Sequence, residues 1–290
     1  VYEYVRYFHL GFVFADNPKN VLFIGGGGFT GPKDFLKSYP NVKIDVVEID
    51  KDVIQVGKDY FLVPEDERLQ IINQDGRRYL SSTINNYDII ILDAYDKSYV
   101  PFHLMTKEFH EIVNEHLSDN GVFIANIITS LDGESSDLFR AEYKTLDSVF
   151  PNVYIYPLSL NQEQMVQNVI IVAHKQDIRL QNKTIKQDYN LSFNILDFAD
   201  DNYKKSIKID DVPMLTDDFA PVENFMNPLT GKIYFKKIIL QNDSSIIIPE
   251  ERNYSIDQNR FGMIIWSFIF IFVLYLVYTY LISYTQKKDN

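Results

Sequence analysis

Four consecutive glycines occupy residues 25–28, directly after the apolar run VLFI and before a segment with helical periodicity. Glycine loses more backbone entropy on folding than any other residue, so a run of four requires a structural explanation. A glycine-rich turn between a buried strand and a helix lets backbone N–H groups and the helix N-terminus approach a ligand closely. Gly26, Gly28 and Gly31 also match the G-x-G-x-x-G pattern of dinucleotide-binding turns, but this pattern alone is weak and a tight turn without a ligand is the alternative.

Short apolar runs and segments of helical periodicity alternate along the part of the chain that follows. Such alternation requires crossover connections and predicts an α/β fold with a doubly wound, mostly parallel sheet. The last two strands follow each other without a helix, which predicts an antiparallel edge. After the first strand, the predicted strands cover residues 42–50, 69–76, 87–96, 121–128, 152–158 and 168–175, and the predicted helices cover residues 32–39, 51–61, 106–117 and 135–150.

The pattern changes sharply towards the C-terminus. Residues 261–284 contain no charged side chain, and a helix of this length is long enough to cross a hydrocarbon layer of roughly 30 Å. We therefore expect one transmembrane helix, with a buried core helix as the alternative. The chain also begins in mid-pattern, which suggests a piece of a longer protein. The predicted parts are a lead-in at residues 1–19, a Rossmann-like domain at 20–175, an irregular extension and linker at 176–260, the membrane helix at 261–284 and a tail at 285–290.

Composition excludes several classes of function. The formal net charge of −12 makes nucleic acid an unsuitable partner, because binding to phosphates requires a basic surface. An acidic surface would suit a polycationic substrate, although it more often serves solubility. The chain has no cysteine, hence no disulfide and no thiolate nucleophile, and its five histidines show no metal-ligand spacing. We expect no metal.

Acidic residues recur at the predicted carboxyl ends of three successive strands, which is the edge where open parallel sheets bind ligands. Each acid alone is more often a solvated strand end or a helix cap, but their recurrence at equivalent positions favours a binding site. Glu48 and Asp50 follow the second strand, Asp75 and Gly76 the third, and Asp93 and Asp96 the fourth.

The chemistry of these side chains suits a nucleoside. Glu48 or Asp50 lies about 20 residues beyond the glycines, where an acid accepts hydrogen bonds from ribose hydroxyls. Asp75 would hold the exocyclic amine of an adenine, with Gly76 leaving room for its ring. Asp93 would point into the crevice beside the reacting group.

Five stretches in this order and spacing, VLFIGGGG, VVEID, DVIQVGKDYF, QDGRRYL and YDIIILDAYD, resemble the spermidine synthase family of aminopropyltransferases. The resemblance covers roughly residues 1–175 and implies the fold of class I AdoMet-dependent methyltransferases. Two further stretches, VPFHLMTKEF and LTDDFAPVE, resemble the membrane-fused branch of that family, in which several membrane spans precede the synthase-like domain.

The resemblance implies a role for each matched residue. Glu48 would bind the ribose of decarboxylated AdoMet or methylthioadenosine, and Asp75 with Gly76 would hold the adenine. Asp93 would take the proton from the attacking amine. The implied contacts to donor and acceptor further include Gly25, Gly26, Gly27, Gly28 and Asp50 on the nucleoside side, and Tyr2, Glu3, Tyr95 and Asp96 on the amine side.

The sequence departs from the family pattern in two places. The family's glycine loop reads G-G-G-D-G-G, and its Asp contacts the aminopropyl group, whereas this chain has Gly28 there, followed by Phe29 and Thr30. In the motif that begins at Asp93, the usual proline is replaced by Lys97. Both departures weaken the polyamine assignment more than the nucleoside assignment.

The functional prediction is a membrane-anchored aminopropyltransferase that moves an aminopropyl group from decarboxylated AdoMet to an amine such as putrescine. Its catalytic domain is expected to face the cytoplasm, where such donors are made, and a homo-oligomer is left open. The alternatives are an AdoMet-dependent methyltransferase and a non-catalytic nucleoside-binding membrane module. An NAD oxidoreductase ranks lowest, because it leaves Asp75 and Asp93 without a role.

The segment LTDDFAPVENF in the extension has two interpretations. Its acids Asp217, Asp218 and Glu223 are either solvated loop charges or part of a segment that folds back on the acceptor side of the crevice, with a short turn at TDD.

Overall fold

A seven-stranded sheet forms the centre of the protein in the computed structural model, which describes residues 3–94, 101–176 and 191–230. The strand order is β3-β2-β1-β4-β5-β7-β6, and all neighbours are parallel except β7, which is antiparallel to both β5 and β6. The predicted doubly wound sheet with an antiparallel edge is confirmed. The strands are β1 Asn20–Ile24, β2 Lys43–Glu48, β3 Leu69–Asn73, β4 Tyr87–Leu92, β5 Leu117–Thr129, β6 Asn152–Pro157 and β7 Gln167–His174.

Helices cover both faces of the sheet. They are α1 Glu3–Phe8, α2 Gly11–Phe14, α3 Thr30–Ser38, α4 Lys51–Tyr60, α5 Gly76–Ser82, α6 Lys107–His116, α7 Asp137–Asp147, α8 Ile195–Asp200 and α9 Val222–Thr230. The helices around the predicted site begin at side-chain caps: Asp50 accepts from the Asp52 N–H at α4, Asp75 from Arg78 N–H at α5, and Thr106 from Phe109 N–H at α6. Such caps satisfy backbone donors that a helix start leaves free.

Alternate residues of the central strands feed two separate apolar layers. On β1, Leu22 and Ile24 belong to the layer beneath α5, α6 and α7, whereas Val21 and Phe23 belong to the layer beneath α1, α2 and α3. This alternation is the period of two that a strand requires when both of its faces are buried. Because β1 to β4 are parallel neighbours in the sheet, their carboxyl ends lie along one edge, and the predicted site residues follow these ends.

Two regions are more ordered than the sequence indicates. Residues 1–19, predicted as a lead-in, contain α1 and α2, which pack against the sheet through Phe8 and Phe14. The predicted extension contains α8 and α9, and Ile195 and Phe225 bury their side chains against the two apolar layers. Both regions therefore contribute to the core.

The predicted membrane helix at residues 261–284 lies outside the described residues and stays a prediction. Among the helices that the structure does describe, none has the length and hydrophobicity needed to cross a bilayer.

Candidate functional site

The glycine turn joins the ends of three strands. Gly25 N–H donates to the Val47 carbonyl at 2.8 Å, and Asp93 N–H donates to the Ile24 carbonyl at 2.9 Å. Gly25 has a φ of +99°, and a Cβ at this position would lie 2.4 Å from the Asp93 carbonyl oxygen. No other residue fits there, because both the backbone conformation and the space exclude a side chain. The turn is therefore pressed directly against the start of the loop after β4.

Glu48 holds the turn from the other side. One carboxylate oxygen, Oε2, accepts from Gly26 N–H at 2.7 Å and Gly27 N–H at 3.4 Å, and Oε1 accepts from Asp50 N–H at 2.9 Å. The side chain is 8% exposed. Each carboxylate oxygen has two acceptor positions, so the two glycine donors fill Oε2, whereas Oε1 keeps one position for a ribose hydroxyl.

Asp75 sits at the start of α5 and is engaged by protein donors on both oxygens. Its Oδ1 accepts from Arg78 N–H at 2.9 Å, and its Oδ2 lies 2.9 Å from His103 Nε2. Burial alone would raise the pKa of Asp75, but the Arg78 N–H and the His103 ring outweigh it and hold the pKa below its usual range. The neighbouring Gly76 has a packing reason to be glycine, since a Cβ there would lie 2.3 Å from Ile24 Cγ2.

Asp93 ends a chain of hydrogen bonds that crosses the sheet. Asn168 Nδ2 donates to Asn126 Oδ1 at 3.0 Å, Asn126 Nδ2 donates to Asp93 Oδ1 at 2.8 Å, and the Tyr4 hydroxyl donates to Asp93 Oδ2 at 3.3 Å. Burial raises the pKa of Asp93, although the two donors act in the opposite direction. A carboxylate with a raised pKa, held in a fixed orientation, is suited to accept a proton near neutral pH.

A pocket of about 190 Å³ brings the glycine turn and Asp93 together. It lies between the turn, α1 and the start of α3, and Phe61 borders it. Asp50, Glu48, Asp75 and Gly76 are not part of its wall. The pocket is lined by Tyr4, Phe8, Phe23, Gly25, Gly26, Gly27, Gly28, Thr30, Gly31, Pro32, Phe61 and Asp93.

The departure at the glycine loop has a clear structural consequence. Gly28 lines the pocket, so the position where the family carries an Asp presents only backbone. Phe29 is fully buried and has a φ of +54°, the left-handed region that non-glycine residues seldom adopt. The Phe29 ring packs against Gly26 and Gly57: a Cβ added at these glycines would lie 2.9 and 2.7 Å from ring atoms. The loop thus lacks the anionic side chain of the family at Gly28, and the buried ring of Phe29 packs under the turn.

The other predicted residues are distributed around this pocket or lie beyond the described residues. Asp50 is an exposed cap of α4, Glu3 is exposed at the start of α1, and neither lines this pocket, so their roles stay predictions. Tyr2, Tyr95 and Asp96 lie outside the described residues, and their roles stay predictions. Within the described ranges, no three His, Asp or Glu side chains converge as a metal ion would require.

The LTDDF segment folds back onto the sheet edge beside Asp75. Thr216 and Phe219 exchange two backbone hydrogen bonds of 3.0 Å, which forms the predicted short turn. Asp217 makes a bidentate pair with Arg77, at 2.7 and 2.6 Å, and accepts from the Thr106 hydroxyl at 2.7 Å. All three acids, Asp217, Asp218 and Glu223, are exposed, but Asp217 is a paired charge.

Three residues of the site are absent from the sequence-based prediction. Tyr4 and Asn126 hold Asp93, and His103 holds Asp75. A single asparagine inside the apolar run GVFIANII was the available signal for Asn126, because a buried polar side chain requires a partner.

Comparison with known proteins agrees with this geometry. The spermine/spermidine synthase domain matches residues 5–184. The polyamine aminopropyltransferase of Vibrio vulnificus (strain CMCP6) is 30% identical over 230 residues, which cover 76% of this chain and 74% of that protein. The polyamine aminopropyltransferase of Hydrogenobaculum sp. (strain Y04AAS1) is 35% identical over 144 residues, covering 48% of this chain, and the match spans only about half of that protein, 51%.

Solved structures share the fold. A spermidine synthase in complex with the transition state analogue AdoDATO has a TM-score of 0.53 at 23% identity, covering 79% of this chain and 75% of that chain. Human methyltransferase-like protein 13 in complex with SAH has a TM-score of 0.53 at 22% identity, covering 63% of this chain and 86% of that chain. These likenesses confirm the Rossmann-like methyltransferase fold and do not separate the two chemistries. The extent of the domain match and the Vibrio relative show the family: this chain belongs to the spermine/spermidine synthase family and is a transferase.

Proposed function

We propose that this chain is an aminopropyltransferase that moves an aminopropyl group from decarboxylated AdoMet to an amine such as putrescine. The observation that carries the proposal is the position of Asp93, whose carboxylate lines the pocket beside the glycine turn and is held by Asn126 and Tyr4. The family match and the names of the relatives support the same reaction. A solved spermidine synthase with a similar fold holds a transition state analogue, which supports the donor class.

The proposed reaction is an in-line displacement at the carbon next to a sulfonium. The amine nitrogen forms a bond to this carbon, the carbon–sulfur bond breaks, and sulfur keeps the electron pair as neutral methylthioadenosine leaves. Asp93 takes one proton from the attacking nitrogen before or during bond formation, so the carboxyl group ends the step protonated. Burial in the pocket raises the pKa of Asp93 and so makes it a stronger base than an exposed carboxylate. Alignment of nitrogen, carbon and sulfur in a closed site supplies a large part of the rate.

The nucleoside contacts form part of the proposal. Glu48 would bind the ribose hydroxyls, and Asp75 would accept from the exocyclic amine of adenine, with Gly76 at its ring. The support is their position at the carboxyl ends of β2 and β3, next to the glycine turn. Asp96, with Tyr95, Tyr2 and Glu3, is proposed on the amine side through the family motif alone.

A second candidate, an AdoMet-dependent methyltransferase, is favoured by Gly28. AdoMet carries a carboxylate that its decarboxylated form lacks, and an Asp at this position would repel it. Gly28 presents no charge to the pocket, so the site lacks this means of rejecting AdoMet.

Calorimetry of the purified chain separates these candidates. Decarboxylated AdoMet, AdoMet, methylthioadenosine and NAD are titrated in turn. The proposal predicts that decarboxylated AdoMet and methylthioadenosine bind more tightly than AdoMet, and that NAD does not bind. A clear preference for AdoMet would favour the methyltransferase, and no binding of any nucleoside would contradict both.

We further propose that residues 261–284 anchor the enzyme in a membrane with the catalytic domain on the cytoplasmic side. The support is the uncharged run of these residues and the resemblance of LTDDFAPVE and VPFHLMTKEF to the membrane-fused branch. Protease protection in sealed vesicles of known orientation tests the proposal. A catalytic domain on the outer side would have no access to the donor and would contradict it.

A further inference from the structure

Asp75 has a side-chain partner that neither the family motif nor the proposed reaction requires. His103 Nε2 lies 2.9 Å from Asp75 Oδ2, while Oδ1 accepts from Arg78 N–H at 2.9 Å. An ionised carboxylate only accepts hydrogen bonds, so the His103 Nε2 must carry the proton in this contact. Both Asp75 oxygens are thus fixed in direction by protein donors.

His103 is itself held from behind. Arg77 Nη1 donates to the His103 carbonyl at 3.2 Å and to the Thr106 hydroxyl at 3.3 Å. The same guanidinium is clamped by Asp217 in a bidentate pair, and Asp217 N–H donates to Glu108 Oε2 at 2.9 Å. Two parallel hydrogen bonds from a planar guanidinium fix orientation as well as distance. The backbone at His103, which carries the ring, is therefore held by Arg77 of α5, and Arg77 is in turn held by Thr106 and the LTDDF segment.

We propose that His103 is a specificity-determining positioning residue, which keeps the Asp75 carboxylate ionised and directed so that the site accepts a 6-amino purine nucleoside and rejects a 6-oxo purine nucleoside. The inference rests on the proposed function, because it takes Asp75 as the residue that contacts the base. A donor pointed at Oδ2 favours the charged form of the carboxyl group.

The discrimination follows from hydrogen-bond polarity. The exocyclic amine of adenine donates, so it pairs with an ionised carboxylate. The oxygen at the same position of hypoxanthine accepts, so it faces Asp75 with lone pairs on both sides and no proton between them. A protonated carboxyl group could donate to that oxygen and would tolerate both bases, and a carboxylate free to rotate would present no fixed acceptor to the adenine amine. Loss of the His103 donor is therefore expected to weaken selection between the bases.

The test is calorimetric binding of 5′-methylthioadenosine and 5′-methylthioinosine to the full chain, which involves no turnover. His103→Leu removes the donor, and His103→Gln restores an N–H donor at similar reach. His116→Gln is the matched control, because the His116 ring contacts the Ile112 and Thr83 carbonyls, away from Asp75. Thermal unfolding of each variant confirms that it folds, and His103→Met replaces His103→Leu if that variant does not.

The expected result is a loss of affinity for methylthioadenosine with little change in affinity for methylthioinosine. Wild type and His116→Gln prefer methylthioadenosine, whereas His103→Leu binds it about 10- to 100-fold more weakly and binds methylthioinosine within about threefold of wild type. His103→Gln recovers most of the preference. An unchanged preference in His103→Leu, or equal loss for both nucleosides, overturns the inference while leaving the proposed function intact. If wild type binds neither nucleoside, the proposed function fails and this inference fails with it.

Discussion

The substitution Asp93→Asn separates a catalytic role of this residue from a structural one. Asparagine keeps the size and shape of the side chain but cannot take a proton from an amine. A positioned general base contributes roughly 10²- to 10⁴-fold to the rate, which corresponds to about 3 to 5 kcal/mol of transition-state stabilisation. We expect turnover to fall by this factor and methylthioadenosine affinity to stay within about threefold, because the base is not part of the nucleoside contacts.

Stability is expected to change little or to increase. In Asp93→Asn the new amide still offers one acceptor to Asn126 or Tyr4, so about one hydrogen bond is lost, worth about 1 kcal/mol. Burial raises the pKa of Asp93 in the folded state above its unfolded value. Ionisation therefore costs folding free energy that is absent below the unfolded pKa and grows as pH rises through the folded pKa. The variant lacks this cost and is expected to gain stability relative to wild type over that pH window.

Asp88→Asn is the matched control, at the opposite end of the strand that leads into Asp93. Asp88 lies at the amino end of β4, where it accepts from the backbone N–H groups of Lys19 and Asn20 at 2.8 and 3.0 Å and from the Ser118 hydroxyl at 2.8 Å. Its replacement removes hydrogen bonds without approaching the pocket, so it is expected to lower the unfolding temperature and leave turnover per folded molecule unchanged. Release of methylthioadenosine measures turnover, thermal unfolding measures stability, and calorimetry measures the affinity for methylthioadenosine. Wild-type turnover by a well-folded Asp93→Asn variant would refute the assignment of Asp93 as the base.

Three further substitutions test other contacts. Asn126→Ala removes a donor that opposes the burial effect, so the pKa of Asp93 is expected to rise further. The acid limb of the pH–rate profile then moves to higher pH, and turnover at pH 7 falls roughly tenfold. An acid limb at the wild-type pH would contradict this. Gly25→Ala is expected to lose about 2 kcal/mol or more in denaturant unfolding, because it combines a φ of +99° with a contact of 2.4 Å; wild-type stability would be inconsistent with the turn. His110→Leu leaves Glu142 fully buried without its partner at 3.1 Å and is expected to cost about 3 kcal/mol or more, whereas adding Glu142→Leu should recover much of the loss.

Much of the fold could be predicted from sequence because its signals are local. The central strands are apolar runs, and the structure places β2 at Lys43–Glu48 and β4 at Tyr87–Leu92, inside the predicted ranges 42–50 and 87–96. The helix α5 was not predicted, because its seven residues GRRYLSS carry no apolar periodicity. Its stability comes from the Asp75 cap and from Leu80, which is fully buried in the core. A short helix fixed by tertiary contacts gives little signal in the sequence.

The candidate site could be predicted only in part for a related reason. The glycine turn and Asp93 belong to strand ends, so their position follows from the order of the strands. The partners of the acids come from distant parts of the chain: Tyr4 is 89 residues from Asp93, and Asp217 is 140 residues from Arg77. Such contacts depend on how α1 and the LTDDF segment pack onto the sheet edge, and no spacing in the sequence encodes that packing. The position of Glu48 was predicted, but its three backbone donors were not.

The most direct test of the proposed function is product stoichiometry. The full chain is incubated with putrescine and decarboxylated AdoMet labelled in the aminopropyl group, and products are quantified by mass spectrometry. An aminopropyltransferase must form methylthioadenosine and labelled spermidine in equal amounts, and the rate of formation of both must fall roughly 10²- to 10⁴-fold in Asp93→Asn. No product above the uncatalysed background with putrescine or any longer amine, or formation of S-adenosylhomocysteine when AdoMet is supplied instead, would contradict the account.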